Sequence, residues 1–191
     1  MEEEKVEAIK KCPILETIRK VQSFLGVYNY YRKFILHFSR VAASLTELLH
    51  KYKKFTWGLE QQRSFDEIKS ALCKAPILQF PNISLPFSII VDASILGVGG
   101  YLAQSVDGVE KPIAYFSRVL RDAEKRCSTY EREAFAIEVG ILTMKKYVYG
   151  TKFEIFTDHR PLLSFRKAHI NAKVQRWRTK LAEYDFDTSR I

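Results

Sequence analysis

Apolar and polar positions follow one period in the first part of the chain and another in the rest. Over residues 1–75 the spacing is helical. "VEAIKK" stops at Pro13. Thr17 can cap a helix running through "IRKVQSFLGVYNYYRKFI", and Ser39 can cap another through "RVAASLTELLHK". A third, "LEQQRSFDEIKSALCKA", spaces Phe65, Ile68 and Leu72 along one face and ends before Pro76.

From Pro76 the texture becomes that of strands and turns. "ILQF", "FSIIVD", "VGGYLAQ" and "PIAYFSR" read as strands, with Asp107-Gly108 as a hairpin turn. A long helix follows, capped by Ser128 or Thr129, running to Tyr149 and terminated by Gly150. "KFEIFTD" is a further strand. "PLLSFRK" and "AKVQRWRTKLAEY" are helical pieces, and "DFDTSRI" is a short strand-like end. Helices followed by β-β-β-α-β-α predict an α/β chain: a mixed α+β sheet with helices packed on it over 76–191, preceded by a small helical region over 1–75. Gly97, Gly99 and Gly100 permit a tight turn or a close approach of backbones.

The net charge of +9, from 31 Lys+Arg against 22 Asp+Glu, leaves two readings: a polyanionic partner, nucleic acid first, or a merely soluble basic protein. Cys12, Cys73 and Cys127 are odd in number and lack CxxC spacing. They argue against a disulfide framework or a structural zinc site and suit a reducing compartment, hence an intracellular location, cytoplasmic or nuclear. "MEEEKVEAIKK" is too charged for a signal peptide, and no apolar run approaches the ~20 residues of a membrane span.

Two strands end in carboxylates: "FSIIVD" in Asp92 and "KFEIFTD" in Asp158. Neighbouring strands would bring these acids together, where they repel unless a cation lies between them. Mg²⁺ suits such a site, because it keeps several waters and takes one or two carboxylates plus substrate phosphate. The long helix offers a third acid in Glu131, Glu133 or Glu138. Glu133 shares a face with Ala136, Ile137, Gly140 and Met144, and periodicity favours it without excluding the other two. Equally, a strand-end Asp often caps a turn and a helix Glu is usually solvated.

These motifs, "VDAS…GVGGYLAQ", "KPIAYFSR", "YEREAFAI", "FTDHRPL" and "EYDF", closely resemble the ribonuclease H domain of gypsy-type LTR retrotransposon polyproteins. "VQSFLGVYNYYRKFILHFSRVAASLTELLHK" and "FTWGLEQQRSFDEIKSALCKAPIL" resemble the preceding reverse-transcriptase thumb and connection. The resemblance implies a ribonuclease H-like fold behind a helical thumb/connection region. It implies Asp92, Glu133 and Asp158 as catalytic acids and metal ligands for two Mg²⁺ ions, with Mn²⁺ as a substitute. The implied reaction is two-metal hydrolysis of the RNA strand of an RNA–DNA hybrid. RNA is distinguished there through its 2′-hydroxyls.

Two departures from the family pattern matter. The fingers and palm of the reverse transcriptase, with their Tyr-x-Asp-Asp motif, are missing from this chain, so it is not expected to polymerise. A fourth acid, in an "ADALSR"-like helix beyond "EYDF", is also missing, so the ribonuclease H-like domain is expected to be truncated at its C-terminus. Asp185 and Asp187 are poor substitutes and read as edge-strand or surface groups. The alternative to an active nuclease is therefore an inactive, decayed or co-opted module that binds nucleic acid or protein.

Arg166, Lys167, Lys173, Arg176, Arg178 and Lys180 form a run without acids around Trp177. It suits a nucleic-acid backbone, or is a solvated basic helix with Trp177 in the core. Tyr28 to Phe34, "YNYYRKF", reads as helix packing before base stacking. His159 reads as a structural histidine before a group orienting water or phosphate.

Overall fold

The computed structural model describes residues 7, 9, 11–31, 35, 37–51, 53–73, 78–165 and 171–191. Helix α1 (Ile18–Tyr31) opens with the amide of Lys20 donating to Thr17 Oγ1, the cap its sequence predicts. Two short helices, α2 (Phe38–Val41) and α3 (Ala43–Glu47), and then α4 (Leu59–Cys73), complete the helical part. Val21, Phe24, Tyr28, Leu45, Phe65, Ile68 and Leu72 are buried together there. Tyr28 lies on Phe24 with ring centroids 4.0 Å apart, so it packs a core.

A second core surrounds a five-stranded sheet. Its strands are β1 (Phe87–Ala93), β2 (Gly97–Val106), β3 (Val109–Val119), β4 (Lys152–Thr157) and β5 (Asp185–Arg190), in the order β3-β2-β1-β4-β5. β1 pairs antiparallel with β2, and β2 with β3; β1–β4 and β4–β5 are parallel. The sheet is mixed for a topological reason. Asp107 and Gly108, both at positive φ (53° and 75°), turn β2 back into β3 as a two-residue hairpin. The parallel step from β3's side of the sheet to β4 needs a crossover, and α6 (Thr129–Val148) supplies it. A short helix, α5 (Asp122–Lys125), precedes α6; a 3₁₀ turn (Arg160–Ser164) and α7 (Ala172–Lys180) lie between β4 and β5.

α6 lies unusually close to the sheet. A Cβ added at Gly140 would stand 2.9 Å from the Phe116 ring and 3.3 Å from the side chains of Ile89 and Val91. One added at Gly100 would stand 1.9 Å from the carbonyl oxygen of Ile90 and 2.9 Å from the same ring. Gly97, Gly99 and Gly100 all lie in β2, so close approach is their use and a tight turn is not.

Several local expectations are corrected. Leu78–Phe80 of "ILQF" forms no strand: its link to β3 is the Gln79 amide donating to the Pro112 carbonyl, and Phe80 is exposed beside Pro81. Ser39 caps nothing. His37 is the N-cap of α2, in left-handed conformation, and Ser39 turns towards β3 instead. The predicted helix "RVAASLTELLHK" breaks at Ala42 into α2 and α3. "DFDTSRI" supplies a full edge strand, and the boundary at residues 75/76 lies outside the described residues.

Candidate active site

β1 and β4 run parallel in constant register, from Phe87 opposite Phe153 to Ile90 opposite Phe156. The same register carried two residues further sets Asp92 beside Asp158, at the C-terminal ends of adjacent strands. The repeat of strands ~4.8 Å apart keeps such neighbours close. Asp92 and Asp158 are exposed.

α6 supplies the third carboxylate. Its start is set by a capping box: Ser128 Oγ accepts from the Glu131 amide, and Glu131 Oε2 accepts from the Ser128 amide. Glu131 is thereby used at the helix end, where Asn171 and Lys173 also meet it. Glu138, further along, is buried and accepts from Lys180 Nζ at 2.7 Å. Glu133 lies between them, 5% exposed, with the backbone amide of Ala93 favouring its charged form. Burial first, then the charges of Asp158 and Asp92, push its carboxyl up to about 7. Its Oε2 is buried without a hydrogen-bond partner.

That arrangement suits a cation. The charges of Asp158 and Asp92 both bear on the buried Glu133 carboxyl and hold its proton on it. A divalent ion would relieve both the repulsion and the orphaned oxygen. Among the described residues, no three His, Cys, Asp or Glu side chains close into a ready-made cage. Mg²⁺ does not require one, since it takes few carboxylates and fills its shell with water and phosphate.

Around the acids, the ring of His159 lies 5.8 Å from that of Tyr130, one turn before Glu133. His159 Nδ1 and Tyr130 Oη are also buried without partners. The sequence reading missed His37, whose Nε2 stands 3.7 Å from Asp92 Oδ2. Its position depends on a left-handed backbone and a long-range seat, neither of which leaves a mark in the local pattern.

The basic run divides. Arg166 and Lys167 lie outside the described residues. On α7, Lys180 is bound to Glu138, and Lys173 donates to Cys127 Sγ at 2.9 Å. Arg176 is exposed, and the charge of Arg178 bears on the Tyr130 phenol. Trp177 is buried against Phe135, with ring centroids 5.1 Å apart, and so belongs to the core. Asp187 pairs with Lys152, at the start of β4 and the far end from Asp158. A cavity of about 600 Å³ opens at that same far end, lined by Phe87, Ser105, Lys152 and Asp187, and is not the cleft of the acids. No helix among the described residues is long and apolar enough to cross a membrane.

Comparison with known proteins agrees with the fold. Over its whole length the chain superposes on a foamy viral protease-reverse transcriptase in complex with dsDNA (TM-score 0.82, 23% identity, 41% of that chain). It also superposes on the foamy viral enzyme in complex with an RNA/DNA hybrid (TM-score 0.79, 24% identity, 27% of that chain). At those identities the likeness is one of fold. In sequence it is 35% identical over 95% of its length to the retrovirus-related Pol polyprotein from transposon opus of Drosophila melanogaster, of which it spans 19%. It is 37% identical over 98% of its length to that from transposon 297 of the same organism, of which it spans 18%. With the Gag-Pol polyprotein of feline leukemia virus it shares 33% identity over 80% of its length and 9% of that polyprotein. The chain thus spans less than a fifth of these relatives. Residues 82–184 match the model of the RNase H-like domain found in reverse transcriptase, and the chain belongs to that family, with similarity to retrotransposon Pol polyproteins over nearly its whole length.

Proposed function

We propose that the sheet domain is a metal-dependent nuclease of the ribonuclease H type, acting on the RNA strand of an RNA–DNA hybrid beside the thumb-like helices. The observation that carries this reading is Glu133: a buried carboxyl with an unpartnered oxygen, raised by the charges of Asp92 and Asp158. Asp92, Glu133 and Asp158 would hold the divalent ions, Mg²⁺ or in its place Mn²⁺. Bound there, such ions supply an activated water and charge for the leaving oxygen. The chain's own part is positional. β1 and β4 hold two acids in register, α6 carries the third against the end of β1, and the Ala93 amide orients it. Arg176 and Arg178 on α7, with the net charge of +9, would draw in the polyanionic duplex.

The test is cleavage of a labelled RNA–DNA hybrid in Mg²⁺ and in Mn²⁺. If the family's fourth acid is needed, the 191-residue chain by itself should cleave little in Mg²⁺ and slowly in Mn²⁺, which N/O ligands bind more tightly. Lengthening the chain by about 50 residues, towards a more typical domain size, should raise the rate by orders of magnitude if it brings in that acid. Asp158→Asn should abolish cleavage in both forms. Equal cleavage by Asp158→Asn would overturn the assignment. Full-rate cleavage by the 191-residue chain in Mg²⁺ would show that a fourth acid is not needed. Hybrid binding without cleavage, even in the longer chain, is what the inactive binding module predicts.

A further inference from the structure

We propose that His37, a residue of the helical part, is a positioning residue for Asp92, so that the carboxylate site is completed across the two cores. The inference rests on the reading of Asp92, Glu133 and Asp158 as metal ligands.

A row of residues across three strands forms the seat. Asp92 on β1 is the register partner of Gly99 on β2, and Gly99 is the partner of Ser117 on β3. The segment at the start of α2 lies along this row. Ser39 holds it at the β3 end: its amide donates to Ser117 Oγ at 2.9 Å, and the two hydroxyls are 3.0 Å apart. Ser117 is 3% exposed, so this is a buried contact between the parts. In the middle, the His37 ring lies over Gly99, where an added Cβ would stand only 3.1 Å from Nδ1. At the β1 end, His37 Nε2 faces Asp92 Oδ2 at 3.7 Å.

The backbone is bent to make this possible. His37 has φ 54° and ψ 30°, a left-handed conformation that few non-glycine residues adopt. Its side chain caps nothing in α2. The conformation instead aims the ring along the strand row towards the carboxylate.

The chemistry gives the ring a use. A carboxylate ligand has two oxygens; one takes the ion and the other needs a donor to fix its rotamer. At 3.7 Å the pair is just outside hydrogen-bond range, and less than an ångström of closure would bring Nε2–H onto Oδ2. Catalytic hydrogen bonds are often long before the ligand is present and tighten with it. No other cationic or donor side chain is paired with Asp92 among the described contacts.

The experiment uses the full 191-residue chain and two readouts that need no turnover. Mn²⁺ affinity is measured by calorimetry for the wild type and for His37→Asn, which tolerates the left-handed backbone but lacks the reach. Thermal unfolding checks that both are folded. Loss of about tenfold in affinity at unchanged melting temperature is expected, the usual effect of removing a group that holds a metal ligand. In parallel, the imidazole nitrogen resonances of His37 are followed by NMR during Mg²⁺ addition, in the wild type and in Asp92→Asn. They should shift with Mg²⁺ in the wild type and lose that response in Asp92→Asn. Equal Mn²⁺ affinity in His37→Asn, or a tighter one as expected if the ring competes with the ion, would overturn the inference. So would normal ion binding with an unresponsive His37. Failure of the wild type to bind either ion would instead overturn the carboxylate-site reading, and this inference with it.

Discussion

The backbone amide of Ala93, at the end of β1, favours the charged form of the Glu133 carboxyl on α6. This ties the helix acid to the strand that carries Asp92. It is not enough to keep Glu133 in the ordinary carboxylate range. Burial, then Asp158 and Asp92, raise it from 4.5 to about 7.

A raised carboxyl means that the folded chain holds a proton that the unfolded chain has released. Between 4.5 and about 7 the folded state binds more protons, so stability should fall as pH rises through that window. An unscreened shift of that size corresponds to about 3–4 kcal/mol, and solvent screening makes the loss smaller. Urea unfolding at about pH 5 and about pH 8 measures it. Glu133→Gln should flatten the difference, and so should saturating Mg²⁺, with release of a proton. A Glu133→Gln chain with the wild-type slope would assign the effect to another group.

Lys180 and Glu138 make a pair of unequal exposure: the lysine side chain is 60% exposed and the glutamate 4%. Removing the lysine leaves a buried carboxylate without its donor. Lys180→Ala should therefore cost about 1–3 kcal/mol in urea unfolding. Adding Glu138→Gln should recover much of that loss. Additive losses in the double variant would mean that the two do not interact.

Arg176 and Arg178 are the α7 cations to test against a nucleic-acid backbone, because replacing Lys180 also strands Glu138. Each phosphate neutralised adds about 0.9 to the slope of log affinity against log salt. Replacing both arginines by alanine should reduce that slope for a hybrid by about 2. An unchanged slope would show that α7 does not lie on the backbone.

Gly100 and Gly140 flank the Phe116 ring but face different neighbours. At Gly140 the ring and two aliphatic side chains can shift, and alanine recovers about 1 kcal/mol of helix propensity against about 1–3 kcal/mol of overpacking. At Gly100 the obstacle includes the Ile90 carbonyl oxygen at 1.9 Å, which is backbone. Gly100→Ala should therefore lower the melting temperature far more than Gly140→Ala. Equal effects would mean that β2 can move away from β1.

What was legible in the sequence depends on short-range physics. Alternation of Phe87, Ile89 and Val91, the Asp107-Gly108 turn and the Ser128 cap each act within a few residues, and each appears in the fold. Strands ending in Asp92 and Asp158 were visible for the same reason. In the described part of "ILQF", Leu78–Phe80, apolar composition was present but no strand paired with it beyond the bond from Gln79 to Pro112. The helix period could not separate Glu131, Glu133 and Glu138. Their partners did so: Ser128 nearby in sequence for Glu131, Lys180 far along the chain for Glu138, and the end of β1 for Glu133. Pairing Asp92 with Asp158 required β4 to insert beside β1 in a given register, and seating His37 over Gly99 required α2 to dock on β3. Those contacts join residues dozens of positions apart. They are decided by which buried surfaces fit together, information that a local pattern of polar and apolar residues does not hold.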